Sequence, residues 1–267
     1  MEREHQDRIL DQFSRQAVPF GGSPQIRDEV ALNRIVDMAE AGLNDTVLDV
    51  ACGSGLLACA FARVTRHVTG IDVTPKMLEQ ARELQRKQGL ENLTWQEGNV
   101  PPLPYADSSF SIVSTRFAFH HFLDPLAVLK EMRRVCRPGG RVVVADTAPA
   151  LIKADAFNRM EQLRDPSHVR ALSPEELLDL FVAAGLPEPH LKSDALPYEL
   201  ESFLARSFPK DGDADRIRQL FAESLQSDSL GVAAFRKDGE VRFSFPTVIV
   251  ASLVTCGSPK PDRQPAG

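Results

Sequence analysis

Cysteine is scarce in this 267-residue sequence, and its four copies, Cys52, Cys59, Cys136 and Cys256, form no motif. No two stand at zinc-ligand or redox-pair spacing, so they are expected to be reduced thiols filling core space. An excess of positive charge is also missing. Lys and Arg number 31 against 37 Asp and Glu, a net charge of −6, which disfavours a surface built mainly for phosphate backbones. No apolar run approaches the ~18 residues of a spanning helix. The opening residues MEREHQDRIL hold no apolar stretch of the signal-peptide kind, so a cytoplasmic location without membrane contact is expected. Tryptophan and tyrosine are rare, one and two residues against 15 phenylalanines. What is present is ordinary for a soluble globular chain: 43% apolar and 25% charged residues, enough for a sizeable core.

At roughly 150 residues per domain, the length allows one large domain or two small ones. The element rhythm favours one. Polar helices are expected over 1–20 and 26–41, with a break at Pro19 to Gly22. A strand over 46–51 runs into Gly53-Ser54-Gly55 and a short apolar helix to Arg63. Strands follow over 67–73, 93–97, 110–115 and 141–145. Helices lie between them: one capped by Thr74-Pro75 and ending at Gly89, another opened by Asp124-Pro125 and ended by Pro138-Gly139-Gly140. Alternating strands and helices give a parallel sheet with right-handed crossovers. Beyond Asp146 come a helix over 153–163, a capping box at Ser173-Pro174-Glu175-Glu176, and a strand and two helices over 190–230. A hairpin follows, turning at Lys237-Asp238-Gly239-Glu240 between strands over 232–235 and 241–245. The expected fold is α/β, Rossmann-like and doubly wound. It has a mostly parallel seven-stranded sheet, an antiparallel last strand and a helical lid. Residues 1–256 form one domain: N-terminal cover 1–44, cofactor-binding core 45–146, helical substrate cover 147–230, and hairpin 231–256. Residues 257–267, Pro-rich and polar, are expected to be disordered.

Gly53 and Gly55, with Ala58 three further on, fit G-x-G-x-x-G/A between a strand and a helix, a loop suited to close approach by a nucleotide. Asp72 ends the next strand, 17 residues beyond Gly55, near the ~20 expected of an acid that holds ribose hydroxyls. A carboxylate facing only water is the plainer alternative. Asp49 discriminates between cofactors. Beside a pyrophosphate it would be repelled by ~4 kcal/mol at ~4 Å and an effective dielectric near 20. Beside a sulfonium and an ammonium the sign reverses. Asp49 therefore favours S-adenosylmethionine over NAD, unless it points away and caps loop amides.

These residues carry a resemblance. VLDVACGSG at 47–55 resembles the first motif of class I S-adenosylmethionine-dependent methyltransferases, and GIDVTPKML at 70–78 their second. GNVPPLP at 98–104 with the strand at 110–113 resembles the third, and VCRPGG at 135–140 the turn before the fifth strand. Together they span roughly residues 45 to 146. The resemblance implies that Asp49 lies near the methionyl ammonium, that Ala51, Gly53 and Gly55 line the cofactor, and that Asp72 holds the ribose. It further implies that Val73 and Met77 pack on adenine while Asn99 and Val100 meet its edge. Thr115 and Arg116, ending the fourth strand, complete this set. Two residues depart from the family pattern: Ala51 replaces the first loop glycine, and Asn99 replaces the usual acid.

On the substrate side, Arg116, His120, His121, Asp146 and the segment LRDPSHVR at 163–170 resemble bacterial small-molecule methyltransferases, including the quinone-biosynthesis C-methyltransferases. His120, His121 and His168 are the candidate catalytic residues, since a histidine near neutral pKa can take a proton from a hydroxyl or thiol. A hydrogen bond that pins a loop is the competing reading of each. No ligand spacing demands a metal, and none is expected. Gln12 to Gln16 with Phe20 are expected to form a lid. The expected activity is methyl transfer from S-adenosylmethionine to O, N, S or C of a small molecule, by a monomer or homodimer that contacts no nucleic acid. The alternatives are a nucleic-acid or protein methyltransferase and a non-catalytic S-adenosylmethionine-binding protein. No Asp/Asn-Pro-Pro-Tyr-like run, Pro-Cys nucleophile or basic tract supports the nucleic-acid alternative. Loss of Asp72 or of the loop would be expected of a non-catalytic binder, and both are intact.

Overall fold

A computed structural model describes residues 2–21 and 25–255. Cys256, the 257–267 segment and the Phe20 side chain lie outside the described residues. Strands β1 (Thr46–Val50), β2 (His67–Asp72), β3 (Leu93–Glu97), β4 (Phe110–Arg116) and β5 (Cys136–Thr147) pair in parallel in the order β3-β2-β1-β4-β5. The sheet continues through β8 (Glu240–Leu253), antiparallel to β5, and ends at β6 (His190–Glu199), antiparallel to β8. Seven strands form this path. An eighth, β7 (Phe235–Lys237), pairs only with β8.

The period-two alternation of the strands decides which helix covers which face. Leu48, Val50, Ile71, Val113, Val142 and Val144 point to one side, under α5 (Pro125–Val135) and α7 (Pro174–Ala183). Val47, Val68, Ile112 and Val143 point to the other, under α2 (Glu29–Met38) and α3 (Leu56–Ala62). A third cluster joins the far ends of β6 and β8 to α6 (Ala154–Arg164), α8 (Leu200–Ala205) and α9 (Asp213–Ser227). It contains Phe157, Phe203, Phe221, Phe243 and Phe245, five of the 15 phenylalanines. The remaining helices are α1 (Glu2–Gly21) and α4 (Pro75–Gln88). Among the described residues no helix is long and apolar enough to cross a membrane.

Several expected boundaries move for physical reasons. Pro138-Gly139-Gly140 does not simply end a helix, because β5 already begins at Cys136, five residues before the expected start. A Cβ on Gly140 would stand 2.5 Å from the Ser111 carbonyl, so only glycine lets this stretch pass β4, whose register shifts between Phe110 and Ile112. The hairpin turn sits where expected, with Asp238 and Gly239 both left-handed at φ 53° and 83°, the pattern of a tight two-residue turn. Its first strand is Phe235–Lys237 and not 232–235, because the Asp228 carboxylate takes the Val232 and Ala233 amides. Helix α2 spans ten residues, Glu29–Met38, instead of 26–41; Asp28 caps it by accepting from the Val30 amide. Thr74 stands at the N-cap of α4, but its side chain makes no capping bond. The Ser173–Glu176 capping box on α7 is complete.

Candidate active site

The carboxyl ends of β1, β2 and β4 open into a cavity of about 690 Å³. The loop after β1 makes its floor. Ala51 is left-handed at φ 53°, a conformation that disfavours any residue with a Cβ by roughly 1–2 kcal/mol. It is held there because the Cys52 amide donates to Ile71 O at 3.0 Å and the Gly55 amide to Cys52 O at 3.0 Å. Asp72 braces the same loop from β2. Its Oδ2 accepts from the Gly53 amide and its Oδ1 from the Thr74 amide, both at 2.8 Å. Burial raises the Asp72 pKa against these amide bonds. Each oxygen still has a second lone pair for a ligand.

Asp49 is 1% exposed. Its Oδ1 accepts from the Ser114 hydroxyl at 3.2 Å, while Oδ2 is buried and has no hydrogen-bond partner among the described residues. Burial, with Asp72 adding to it, pushes its pKa up to about 7, against the opposing effects of the Ser114 hydroxyl, Arg116 and the backbone amide of Ala58 in the first turn of α3, which faces the carboxylate. A buried carboxylate oxygen left unpaired is costly, and a cation in the adjoining cavity relieves the cost. Arg116 mirrors it from the end of β4: Nη1 donates to Ile26 O at 2.9 Å, Nη2 is buried and unpartnered, and the guanidinium stacks on Phe117.

Of the residues singled out from sequence, Asp49, Ala51, Gly53, Asp72, Val73, Met77, Asn99, Val100, Arg116 and His121 line this cavity. Gly55, Thr115, His120 and His168 do not. Gly55 faces the protein interior, where a Cβ would meet Trp95 Cη2 at 2.6 Å and Ala81 Cβ at 2.9 Å; its visible task is letting α3, α4 and the sheet close up. By contrast, a Cβ on Gly53 would meet nothing within 4 Å. Thr115 is wholly buried, with its hydroxyl unpartnered. Asn99 spends its Oδ1 on the Val100 amide at 2.9 Å, which leaves its NH₂ as the group to offer a ligand.

The three histidines cluster beside the cavity, with His120 and His121 ring centroids 4.2 Å apart and His120 and His168 centroids 5.3 Å apart. His120 Nδ1 meets Asp146 Oδ1 at 2.6 Å. Burial opposes its protonation, but the Asp146 carboxylate prevails and its pKa is raised. His121 differs. Its Nδ1–H donates to Ser167 O at 3.0 Å, and burial with the neighbouring His120 lowers its pKa to about 4, so it is neutral. His168 lines neither this cavity nor a smaller one beside it, and donates from Nε2 to Asn158 Oδ1 at 2.7 Å. Asn158 also bonds Ala154 O and both backbone groups of Ala171, so His168 is built into the cover. Among the described residues no group of three or more His, Cys, Asp and Glu is arranged to hold a metal ion.

The sequence reading missed His5, Gln6 and Arg3 of α1, which line the cavity. His5 Nε2 is 2.7 Å from the His121 carbonyl, and Gln12 donates to Ser207 O at 2.8 Å. Nothing local in a polar N-terminal helix distinguishes His5 from its neighbours.

A mostly parallel sheet in this strand order, with a glycine loop after its first strand, is the fold of class I methyltransferases. Comparison with known proteins agrees. A family profile described as a methyltransferase domain matches residues 48–144. The uncharacterized methyltransferase YcgJ of Bacillus subtilis is 33% identical over 245 residues, 90% of this chain and 97% of its own. The YcgJ crystal structure superposes with a TM-score of 0.77 at 26% identity, over 85% of this chain and 99% of that one. The ubiquinone/menaquinone biosynthesis C-methyltransferase UbiE of Bdellovibrio bacteriovorus is 40% identical over 115 residues, 42% of this chain and 48% of that one. The chain belongs to the methyltransferase family and is an S-adenosylmethionine-dependent enzyme. The residues present fit that cofactor: Asp49 Oδ2 is a buried, unpaired acceptor for a cation, and the open space at Gly53 leaves the wall clear.

Proposed function

We propose that the protein methylates a small-molecule acceptor, and that the large cavity holds the cofactor with its cationic end at Asp49. The unpartnered Asp49 Oδ2 carries this reading. Asp72 offers its free lone pairs to the ribose hydroxyls. Val73 and Met77 pack on the adenine, and the Asn99 NH₂ meets its edge beside Val100. When bound, the cofactor supplies a methyl group already activated by positive sulfur. In-line positioning of the acceptor then supplies much of the acceleration. For a hydroxyl acceptor, His120 Nε2 would take the hydroxyl proton. Asp146 fixes the ring from the opposite edge, at Nδ1. His121 shapes the wall, His168 braces the cover behind it, and both stay neutral. We further read the protein as a cytoplasmic monomer or homodimer, one domain over 1–256.

Calorimetric titration with S-adenosylmethionine, S-adenosylhomocysteine and NAD tests the reading. The two adenosyl ligands should bind and NAD should not; NAD binding alone refutes it. Asp72→Ala should weaken the adenosyl ligands by at least about tenfold, the share of a charged hydrogen bond.

A further inference from the structure

The smaller cavity, about 100 Å³, adjoins the first and shares Phe13, Ile26, Phe117 and His121 with it. It is smaller than the about 150 Å³ of a cavity that takes up benzene, so an aromatic ring seated here must extend past Phe13, Phe117 and His121 into the larger space. Its walls are aromatic: Phe117, Phe203, Tyr198 and Phe245. His120 lies at one part of the wall and Arg206, at the end of α8, at another.

Of the charged side chains around it, all but one are held in direct contacts, with Arg164 shared by the two carboxylates Glu161 and Asp165. Glu161 and Arg164 make two bonds of 2.7 Å, Asp165 is held by Ser167 and lies 3.8 Å from Arg164, and Asp146 holds His120. Arg206 has no side-chain partner among the described residues, although it is half-buried on the cavity wall beside Tyr198. The hydroxyl of Tyr198, mostly buried, also makes no hydrogen bond among the described residues, and it lies within the field of Arg116, Arg164 and Arg206, opposed by Glu161, whose carboxylate is tied to Arg164. A neutral, apolar ring would leave this guanidinium and hydroxyl unanswered. An anionic substituent answers both.

We propose that the small cavity is the acceptor subsite and selects a single aromatic ring bearing an anionic group such as a carboxylate, with Arg206 as its counter-ion and Tyr198 donating to it. This rests on the placement of the cofactor in the large cavity. The rest of the ring then lies between the phenylalanines, and its accepting group is directed toward His120. Arg206 is thereby a specificity-determining residue.

The test uses the full chain saturated with S-adenosylhomocysteine, titrated calorimetrically with 4-hydroxybenzoate and with the neutral 4-hydroxybenzyl alcohol. The benzoate should bind at least about tenfold tighter, as a charge-assisted bond requires. Arg206→Met should remove that preference by weakening the benzoate alone, Arg206→Lys should keep part of it, and both variants should bind S-adenosylhomocysteine as before, which also reports that they fold. Equal binding of the two compounds, a preference that survives Arg206→Met, or no binding of either overturns the proposal. Failure of S-adenosylhomocysteine to bind overturns instead the reading of the large cavity.

Discussion

Replacing Asp49 with Asn separates a residue kept for its ligand from one kept for the fold. The side chain is 1% exposed, and burial moves its pKa from the ordinary carboxylate value near 3.8 to about 7. At about 1.4 kcal/mol per pH unit, keeping Asp49 ionised in the empty site costs on the order of 4 kcal/mol, an upper figure. The sign follows from linkage. Between pH 4 and 7 the folded chain binds a proton at Asp49 that the unfolded chain has released, so this group's contribution falls as pH rises through that window and stays unfavourable above it. Asn keeps the shape and has no charge to lose. In thermal melts without ligand, Asp49→Asn should therefore match the wild type near pH 4. At pH 8 it should exceed it by up to about 8–16 °C, at roughly 2–4 °C per kcal/mol for a chain of this size. The same substitution should weaken S-adenosylhomocysteine by at least about tenfold at pH 8, because the ammonium loses its counter-charge. Wild-type binding at pH 6 should also release a proton, visible as a dependence of the calorimetric heat on the buffer's ionisation enthalpy. A Tm difference of equal size at pH 4 and pH 8, or a variant less stable than wild type at pH 8, refutes the reasoning.

Gly55→Ala adds a Cβ 2.6 Å from Trp95 at a backbone φ of 79°. Left-handed strain and overpacking together should cost about 2–4 kcal/mol in urea unfolding; a change under 0.5 kcal/mol would mean the α3–α4 contact is loose. With a hydroxyl acceptor, His120→Gln should lower kcat/KM by about 10²–10⁴, and the wild-type rate should rise with pH through a value above 6.5. The groups setting that value are Asp146 from β5, Glu161 and Arg164 from α6, and the neighbouring His121 and His168. A flat profile that His120→Gln leaves unaltered argues for pure positioning. His121 and His168 are both held below the ordinary histidine value, chiefly by burial. Their contribution to stability is complete above pH 6.5 and declines below it, as the unfolded chain gains protons that the folded chain refuses. His168→Gln should flatten that acid loss in melts between pH 6.5 and 4.5.

How much of this was legible in the sequence depends on whether the deciding physics is local. The core strands were readable because the unbroken apolar run at Val142, Val143 and Val144, buried on both faces of the sheet, and the loop at Gly53 to Gly55 are short-range signals. Left-handed Gly89, the Asp124 cap and the Ser173 box stand where the residue types require. The site divides along the same line. Asp49 and Asp72 could be found because each sits at or beside a strand end next to the glycine loop, and Asn99 through the family resemblance of its segment, but what their oxygens do could not. Asp72 spends one lone pair per oxygen bracing its own loops, and Asn99 spends its carbonyl on Val100, through backbone amides that no residue pattern encodes. Gly55 reads as a ligand glycine by spacing, yet Trp95, 40 positions later, decides its role as close packing. The substrate side depends almost wholly on long-range placement. His5 reaches the His121 carbonyl across 116 positions, and Gln12 reaches Ser207 across 195. Arg206 illustrates the limit most clearly. In sequence it is one of 31 basic residues, and only the tertiary pairing of Glu161 with Arg164 and of Asp146 with His120 leaves it as a cation on a cavity wall with no carboxylate of its own.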